Sequence, residues 1–292
     1  GGAFDSQSST GNGAATVAGS NEAVDTTKNT VVYTGENETT TVVCKVSNSD
    51  ELKNALNNND NSITEIDITA DFTYNGSIAT GDKKIVVNEG VTLTIGGSKT
   101  KITGKFENNG TITITSSYEC IWKAQTTGSG KIVAKNQKWG EYQTYVDYGC
   151  VPEENLTNCR INIVKDIDKE PTVILPETMT VGDTITPTFT NIVNGVDLEN
   201  AFKFKWENNG NTVYNGAVSP TLTKKGTLKL TVSVKKPYVM RSSSGSYGIS
   251  DVSGTVKEVL LDTVFVNANS GNNNNIGNTK AAPLKAISKA VD

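Results

Sequence analysis

Between Ile63 and Ile114 the chain repeats short apolar segments: Ile66-Asp67-Ile68, Ile85-Val86-Val87, Val91-Thr92-Leu93-Thr94-Ile95 and Thr111-Ile112-Thr113-Ile114. Turns of Gly, Asn, Asp, Ser and Thr separate them. None is long enough to bury a core alone, so the segments must stack on one another. Ile66 to Ile85 and Leu93 to Ile112 fit a coil that advances by about 20 residues per turn. Asn88-Glu89-Gly90 and Asn108-Asn109-Gly110 read as equivalent turns between rungs. The expectation is an all-β chain whose first half is a short solenoid of parallel strands.

Composition agrees. The 292 residues allow two or three domains, and the chain is rich in Thr, Asn, Gly, Val and Ile, with only 7 Pro. β-Branched residues suit a pleated sheet, and Asn and Gly supply turns. The net charge is −4 and the basic residues are scattered without a basic patch, which argues against nucleic acid as a partner. No apolar run approaches the roughly 20 residues of a membrane helix, so no membrane insertion is expected in this segment.

Histidine is absent. That removes the commonest general base and metal ligand and rules out a Ser-His-Asp or Cys-His arrangement within these residues. No phosphate-binding Gly-rich loop and no Asp-rich calcium loop is present, so no cofactor or metal is expected. The four cysteines, Cys44, Cys120, Cys150 and Cys159, form no CxxC pair. Zinc would need all four to converge. Two disulfides in an exported protein, or buried free thiols, fit better. Of the three pairings, Cys150–Cys159 closes a short loop and Cys44–Cys120 would tie the first strand to the late ladder. Asn37, Asn75, Asn109 and Asn155 stand in glycosylation patterns, which matter only in a eukaryotic secretory host.

Four regions follow along the chain. Residues 1–29 are mostly Gly, Ala, Ser, Thr and Asn and read as a flexible leader. Residues 30–166 hold a strand over Thr30–Val46, a capped helix and the ladder. Asn48 with Glu51 three residues on forms a capping box, and Leu52, Ala55 and Leu56 fall on one helical face. Residues 170–262 carry separate alternating strands, among them Phe202-Lys203-Phe204-Lys205-Trp206 and Leu228–Val234, which suit a β-sandwich with Trp206 in its core. Pro237–Ser250 reads as a long polar loop with Tyr238, Met240, Arg241 and Tyr247. Residues 263–292 read as strand, Asn-rich loop and amphipathic helix, with Leu284, Ile287 and Val291 on one face.

The stretch from Lys45-Val46-Ser47 through Leu52, Leu56 and Ile66-Asp67-Ile68 resembles the opening of right-handed parallel β-helix proteins of the pectate-lyase-like and adhesin type. The resemblance covers roughly Thr30–Asp166 and implies a helix-capped solenoid. Residues 170–262 resemble the bacterial Ig-like domains of surface proteins, without the cysteine pair of antibody domains. The pattern from Thr263 to Asp292 resembles the start of secreted β-helix carbohydrate-active enzymes and adhesins, which implies the N-terminal cap of a second, truncated β-helix. These resemblances together imply a secreted or cell-surface location.

Two groups of residues are candidates for chemistry. Tyr118, Trp122, Trp139, Tyr142, Tyr145 and Tyr148 cluster beyond what the rest of the chain shows. Aromatic rings make stacking platforms for sugars and anchors for proteins, or they pack the far end of the solenoid. Asp67, with Glu65 and Asp71 nearby, has the residue types of an acid/base pair. Asp67 points outward from the rung, opposite Ile66 and Ile68, and a solvated face is the plainer reading. No catalytic residue is assigned. The expected function is a non-catalytic binding or scaffold segment of an exported modular surface protein, adhesin-like, with a glycan or host surface protein as partner. The alternative is an accessory region of a glycoside hydrolase or polysaccharide lyase whose active site lies beyond residue 292.

Overall fold

The computed structural model describes residues 21–25, 30–34, 40–135, 144–241, 252–260, 266–275, 277 and 283–285. The chain divides into two units, Gly1–Asn162 and Ile163–Asp292.

The first unit opens with an antiparallel meander of β1 (Asn21–Asp25), β2 (Thr30–Thr34) and β3 (Thr40–Val46). Strand β1 falls inside the stretch read as leader, so backbone pairing reaches back to Asn21. Helix α1 (Ser49–Leu56) follows. Asn48 caps it as expected: its side chain accepts from Glu51 N at 2.9 Å, and the return bond to Glu51 Oε1 comes from Asn48 Nδ2 at 2.8 Å. Leu52 and Ala55 are buried and join a core shared with Cys44, Val46, Ile63 and Ile66. The helix packs on the first rungs and closes that end of the core.

From there each turn lays one strand in each of two sheets. The turns run β4 (Ile63–Ile68) and β5 (Phe72–Asn75), β6 (Ile78–Val87) and β7 (Thr92–Gly96), then β8 (Lys99–Asn108) and β9 (Thr111–Ile114). They continue with β10 (Glu119–Trp122), β11 (Gln125–Thr127) and β12 (Lys131–Ala134), then β13 (Thr144–Asp147) and β14 (Leu156–Thr157). Strand β15 (Arg160–Asn162) pairs with β13. All these pairings are parallel, and residues 42–157 form a β-solenoid of about five turns. Ile66 pairs with Ile85 and Leu93 with Ile112, the equivalences expected from the repeat.

Inward residues stack in columns. Ile66, Ile85 and Phe106 form one, and Ile78, Ile102, Trp122, Val146 and Ile161 another. Leu93, Ile112, Ile132 and Leu156 line the second sheet. Fully burying one such side chain contributes about 1.5–3 kcal/mol, so the columns carry the stability of the unit.

One rung pairing carries an insertion that shifts its register without ending it. Strand β6 spends four residues, Thr80–Lys83, opposite the single residue Gly104 of β8, because Ala79 pairs with Thr103 and Lys84 with Lys105. Thr80 Oγ1 accepts from Lys105 N at 2.9 Å and restores the lost ladder bond. A Cβ on Gly104 would lie 1.8 Å from that oxygen, which is why glycine stands there. The turns also stack on each other: Asn109 N donates to Val87 O, and Gly130 N to Asn108 O.

The second unit is also all-β. β16 (Thr172–Ile174) pairs antiparallel with β18 (Thr188–Thr190). A five-stranded sheet has the order β17 (Thr178–Thr180), β23 (Val252–Leu260), β21 (Gly226–Val234), β19 (Phe202–Asn208) and β20 (Asn211–Asn215). β17 runs parallel to β23 and the other neighbours are antiparallel. A one-turn helix, α2 (Leu198–Ala201), is capped by Asp197 and leads into β19. Strand β19 alternates as predicted: Phe202, Phe204 and Trp206 are buried and Lys203 and Lys205 exposed. Phe189 of β18 stacks on Phe202 at 4.9 Å, so the two sheets share a core.

Three expectations need amendment. The boundary falls at Asn162, ahead of the charged linker, because Ile163 N donates to Val239 O and Val193 N to Ile163 O. The stretch read as a polar loop from Pro237 begins with a strand, β22 (Tyr238–Val239), and Met240 is fully buried. Residues 242–250 of that stretch lie outside the described residues, as do 263–265 and 286–292 of the last segment. In that segment Val266 bridges to Leu284, and the Asn-rich loop is tied by its own side chains. Asn267 Oδ1 accepts from Asn269 N and Ser270 N, and Asn275 Nδ2 donates to Pro283 O.

Candidate functional site

Among the described residues the aromatic end does not present its rings together. Trp122 is 0% exposed. It sits in the inward column, tilts against Phe106 at 4.9 Å, and its Nε1 donates to Ala124 O and Thr126 Oγ1 at 3.0 Å. It packs the coil and offers no face to a ligand. Tyr145 points the other way but is buried too, beside Ile121 and Arg160 on the neighbouring strands. Tyr148 is half-buried where the chain turns after β13, its N–H held by Asn162 O. Tyr118 is 38% exposed, with Lys99 Nζ 5.9 Å from the ring centre and 3.5 Å from Glu119 Oε1. Trp139 and Tyr142 lie outside the described residues. Of the six rings, Tyr118 and Tyr148 are the described ones with accessible surface.

The cysteines are all free and buried. The expected disulfides are therefore corrected, and for Cys44–Cys120 the reason is geometric. Cys44 lies on β3 and Cys120 on β10, four strand positions apart in one sheet. At about 4.8 Å per strand that is roughly 19 Å, against a Cα separation of under about 7 Å for a disulfide. Cys150 Sγ points to Lys123 O at 3.6 Å, while Cys159 Sγ points to Thr157 O at 3.5 Å. Burial pushes Cys44, Cys120 and Cys150 up to about 11 and Cys159 to about 12. Such thiols are protonated and inert near neutrality. Among the described residues no group of three or more Cys, Asp or Glu is placed to hold a metal ion.

The outer face of β4, β6 and β8 carries a chain of paired charges. Glu65 pairs across the ladder with Lys84, whose Nζ lies 3.5 Å from Glu65 Oε1 and 3.2 Å from Glu107 Oε1. Burial pulls Lys84 down, but hydrogen bonds and charge from Glu107 and Glu65 outweigh it and raise it overall. Asn109 donates to Glu107 Oε2 at 3.0 Å, and this bond, helped by Lys84, lowers Glu107. Asp71 caps a rung instead of joining the cluster: its Oδ1 accepts from Thr92 N at 2.8 Å.

Asp67 departs from expectation. It does face outward, beside Lys45 and Val86 on the flanking strands. The face there is not solvated: Asp67 is 2% and Lys45 0% exposed, with Val43 and Val86 buried as well. Burial raises the Asp67 carboxyl to about 8, and a hydrogen bond and charge from Glu65 add to this, against Lys45 and Lys84. An acid protonated at neutral pH beside a second carboxylate has the chemistry of a proton donor. Asp67 itself presents almost no surface to solvent.

Sequence reasoning missed Lys45 and misjudged the burial of Asp67. The signal present was the register, Lys45 beside Asp67, which becomes visible only once β3 is paired with β4. Compared with known proteins, the chain matches no family model, no curated protein and no solved structure.

Proposed function

We propose that this chain is a non-catalytic scaffold and binding segment of a modular, exported cell-surface protein, adhesin-like, with a glycan or host surface protein as ligand. One observation carries the reading. The solenoid interior is filled by stacked aliphatic columns and Trp122, so the coil is a rigid rod and not a container. Function then falls to the outer surface. There Thr92 and Thr111, and Thr73 and Thr94, stand in register on neighbouring strands and present rows of hydroxyls. Tyr118 adds an exposed ring beside Lys99. Hydroxyl rows and isolated aromatic rings suit weak, repeated contacts with sugars or protein surfaces.

In the second unit, β17 runs parallel to β23 while the remaining neighbours are antiparallel, and Trp206 is buried. That arrangement supports an Ig-like spacer. The alternative, an accessory region of a β-helix carbohydrate-active enzyme, draws support from the Asn-rich loop bonded back onto Pro283 and Leu284. Such a folded loop is what a further β-helix cap would require.

The test is binding of the intact chain to a glycan and host-protein array, with a Tyr118→Ala/Tyr148→Ala variant. Loss of binding at least tenfold with an unchanged melting temperature supports the surface reading. Unchanged binding in that variant removes the tyrosines from it, and a blank array favours a stalk without a ligand.

A further inference from the structure

The coil gathers lysines on one outer face. Lys99, Lys101 and Lys105 alternate along β8 with Ile102 and Phe106, which turn into the core, so all three point outward and are exposed. They span roughly 20 Å of strand. Lys123 follows β10, its N–H bonded to Ile102 O, and is exposed on the same face because Trp122 before it turns inward.

The carboxylates on this face already have partners. Lys99 lies 3.5 Å from Glu119, Lys123 lies 3.4 Å from Asp147, and Lys84 holds Glu107 at 3.2 Å. Lys101 and Lys105 differ. Register sets Ile121 beside Lys101, and Lys84 and Gln125 beside Lys105, so these strand neighbours offer them no carboxylate. Among the described residues neither forms an ion pair. The chain as a whole carries −4, yet here two ammonium groups about 13 Å apart along one strand are left uncompensated. Tyr118 adds an exposed ring at one end of the row, 5.9 Å from Lys99 Nζ.

Charge, spacing and residue type select the ligand. A nucleic acid backbone carries a charge on every residue and would meet Glu107 and Glu119 as well as the lysines. A polymer with sparser anions reaches the two free ammonium groups and avoids the acids. Arginine, whose planar fork grips carboxylates bidentately, is absent from β6, β8 and β10. Lysines act as point charges on flexible stems, which suits the symmetric charge of a sulfate ester. Resting on the surface-binding reading above, we propose that the outer face of β8 binds a sulfated polysaccharide. Lys101 and Lys105 meet its sulfate groups and the Tyr118 ring lies against a sugar.

Affinities of the intact chain for dextran sulfate, unsulfated dextran, polygalacturonate and single-stranded DNA test this. Dextran sulfate should bind tightest, and less tightly as salt is raised. Lys101→Gln/Lys105→Gln should weaken that binding about tenfold at an unchanged melting temperature, since neither side chain loses an ion pair. Lys203→Gln/Lys229→Gln removes the same charge from exposed positions of β19 and β21 and should change binding less than about twofold. Undiminished binding in the Lys101/Lys105 variant overturns the proposal, as does an equal loss in the Lys203/Lys229 variant. Polygalacturonate or DNA bound as tightly as dextran sulfate also overturns it. Binding of a neutral glycan through Tyr118, without binding of dextran sulfate, removes this inference alone. No binding to any glycan or host protein removes the surface-binding reading with it.

Discussion

Asn108 Nδ2 donates to the backbone carbonyl of Lys131 at 3.1 Å, one turn further along the solenoid, while its Oδ1 accepts from Gly110 N at 3.2 Å. Asn108 occupies the rung position that holds Ile68 and Val87 in the turns before it, and it is buried. Its amide thus replaces apolar packing with bonds that hold one turn on the next. Asn108→Ala leaves the Lys131 carbonyl and the Gly110 N–H short of a partner and should cost about 1–3 kcal/mol. Urea unfolding followed by circular dichroism checks this; a loss below about 0.5 kcal/mol would show that water replaces the amide freely.

The stacked turns predict an order among glycines. A Cβ on Gly130 would meet Gly110 O at 2.3 Å and Asn108 O at 2.6 Å, whereas one on Gly149 would meet nothing within 4 Å. Gly149→Ala therefore carries only the strain of its positive φ, about 1–2 kcal/mol. Gly130→Ala must in addition push two turns apart and should cost clearly more. Equal midpoints in parallel denaturation curves would refute the stacking argument.

Trp122 and Tyr118 should separate stability from binding. Trp122→Ala opens the core beside Phe106 and should cost about 3–5 kcal/mol. Tyr118→Ala should change stability by no more than about 0.5 kcal/mol and act on ligand binding alone. A Trp122 variant that loses binding is therefore uninformative unless its melt is unchanged.

The thiols should be silent in the folded chain. With all four buried and raised to about 11 or 12, they should not react with a thiol reagent at pH 8 until the chain unfolds, when four equivalents appear. Rapid labelling of native protein would mean that a rung opens at low cost.

Asp67 should impose a pH dependence on the stability of the first unit. In Lys45→Met the carboxyl keeps its folded-state rise, from the usual 3.8 to about 8, because burial dominates it and the variant removes one of the two lysines, Lys45 and Lys84, that oppose it. A raised acid binds its proton more tightly in the folded state. Its stabilisation is full below about pH 4, falls as pH rises through the carboxyl's folded value near 8, and is gone above it. At about 1.36 kcal/mol per unit the total change is on the order of a few kcal/mol. Melting temperatures between pH 4 and 9 should fall in Lys45→Met and stay flatter in Lys45→Met/Asp67→Asn. Parallel curves would show that Asp67 is not the titrating group.

Much of this fold is local, and is therefore legible in the order of the residues. Alternation places Ile66, Ile68, Ile85 and Val87 on one side of their strands, and the Asn-Gly turns set the spacing that pairs Leu93 with Ile112. The capping box at Asn48 and Glu51 needs only neighbours three residues apart. The alternation of Phe202, Phe204 and Trp206 with two lysines likewise marks its own buried face.

What the sequence by itself determined is therefore which side of each strand an amino acid faces and where the chain turns. Tertiary structure alone decided what lies over that side. Trp122 and Tyr145 face opposite ways and are both buried, so these two rings of the aromatic segment supply packing. Asp67 faces outward as its position in the strand requires, yet its outward face is covered, and only the pairing of β3 with β4 sets Lys45 beside it. The cysteines differ for the same reason: a pairing rests on distance across the rungs, and four strand positions separate Cys44 from Cys120. Periodicity is a property of neighbouring residues, whereas coverage and cross-rung distance belong to residues about 20 positions apart or more, which no local pattern records.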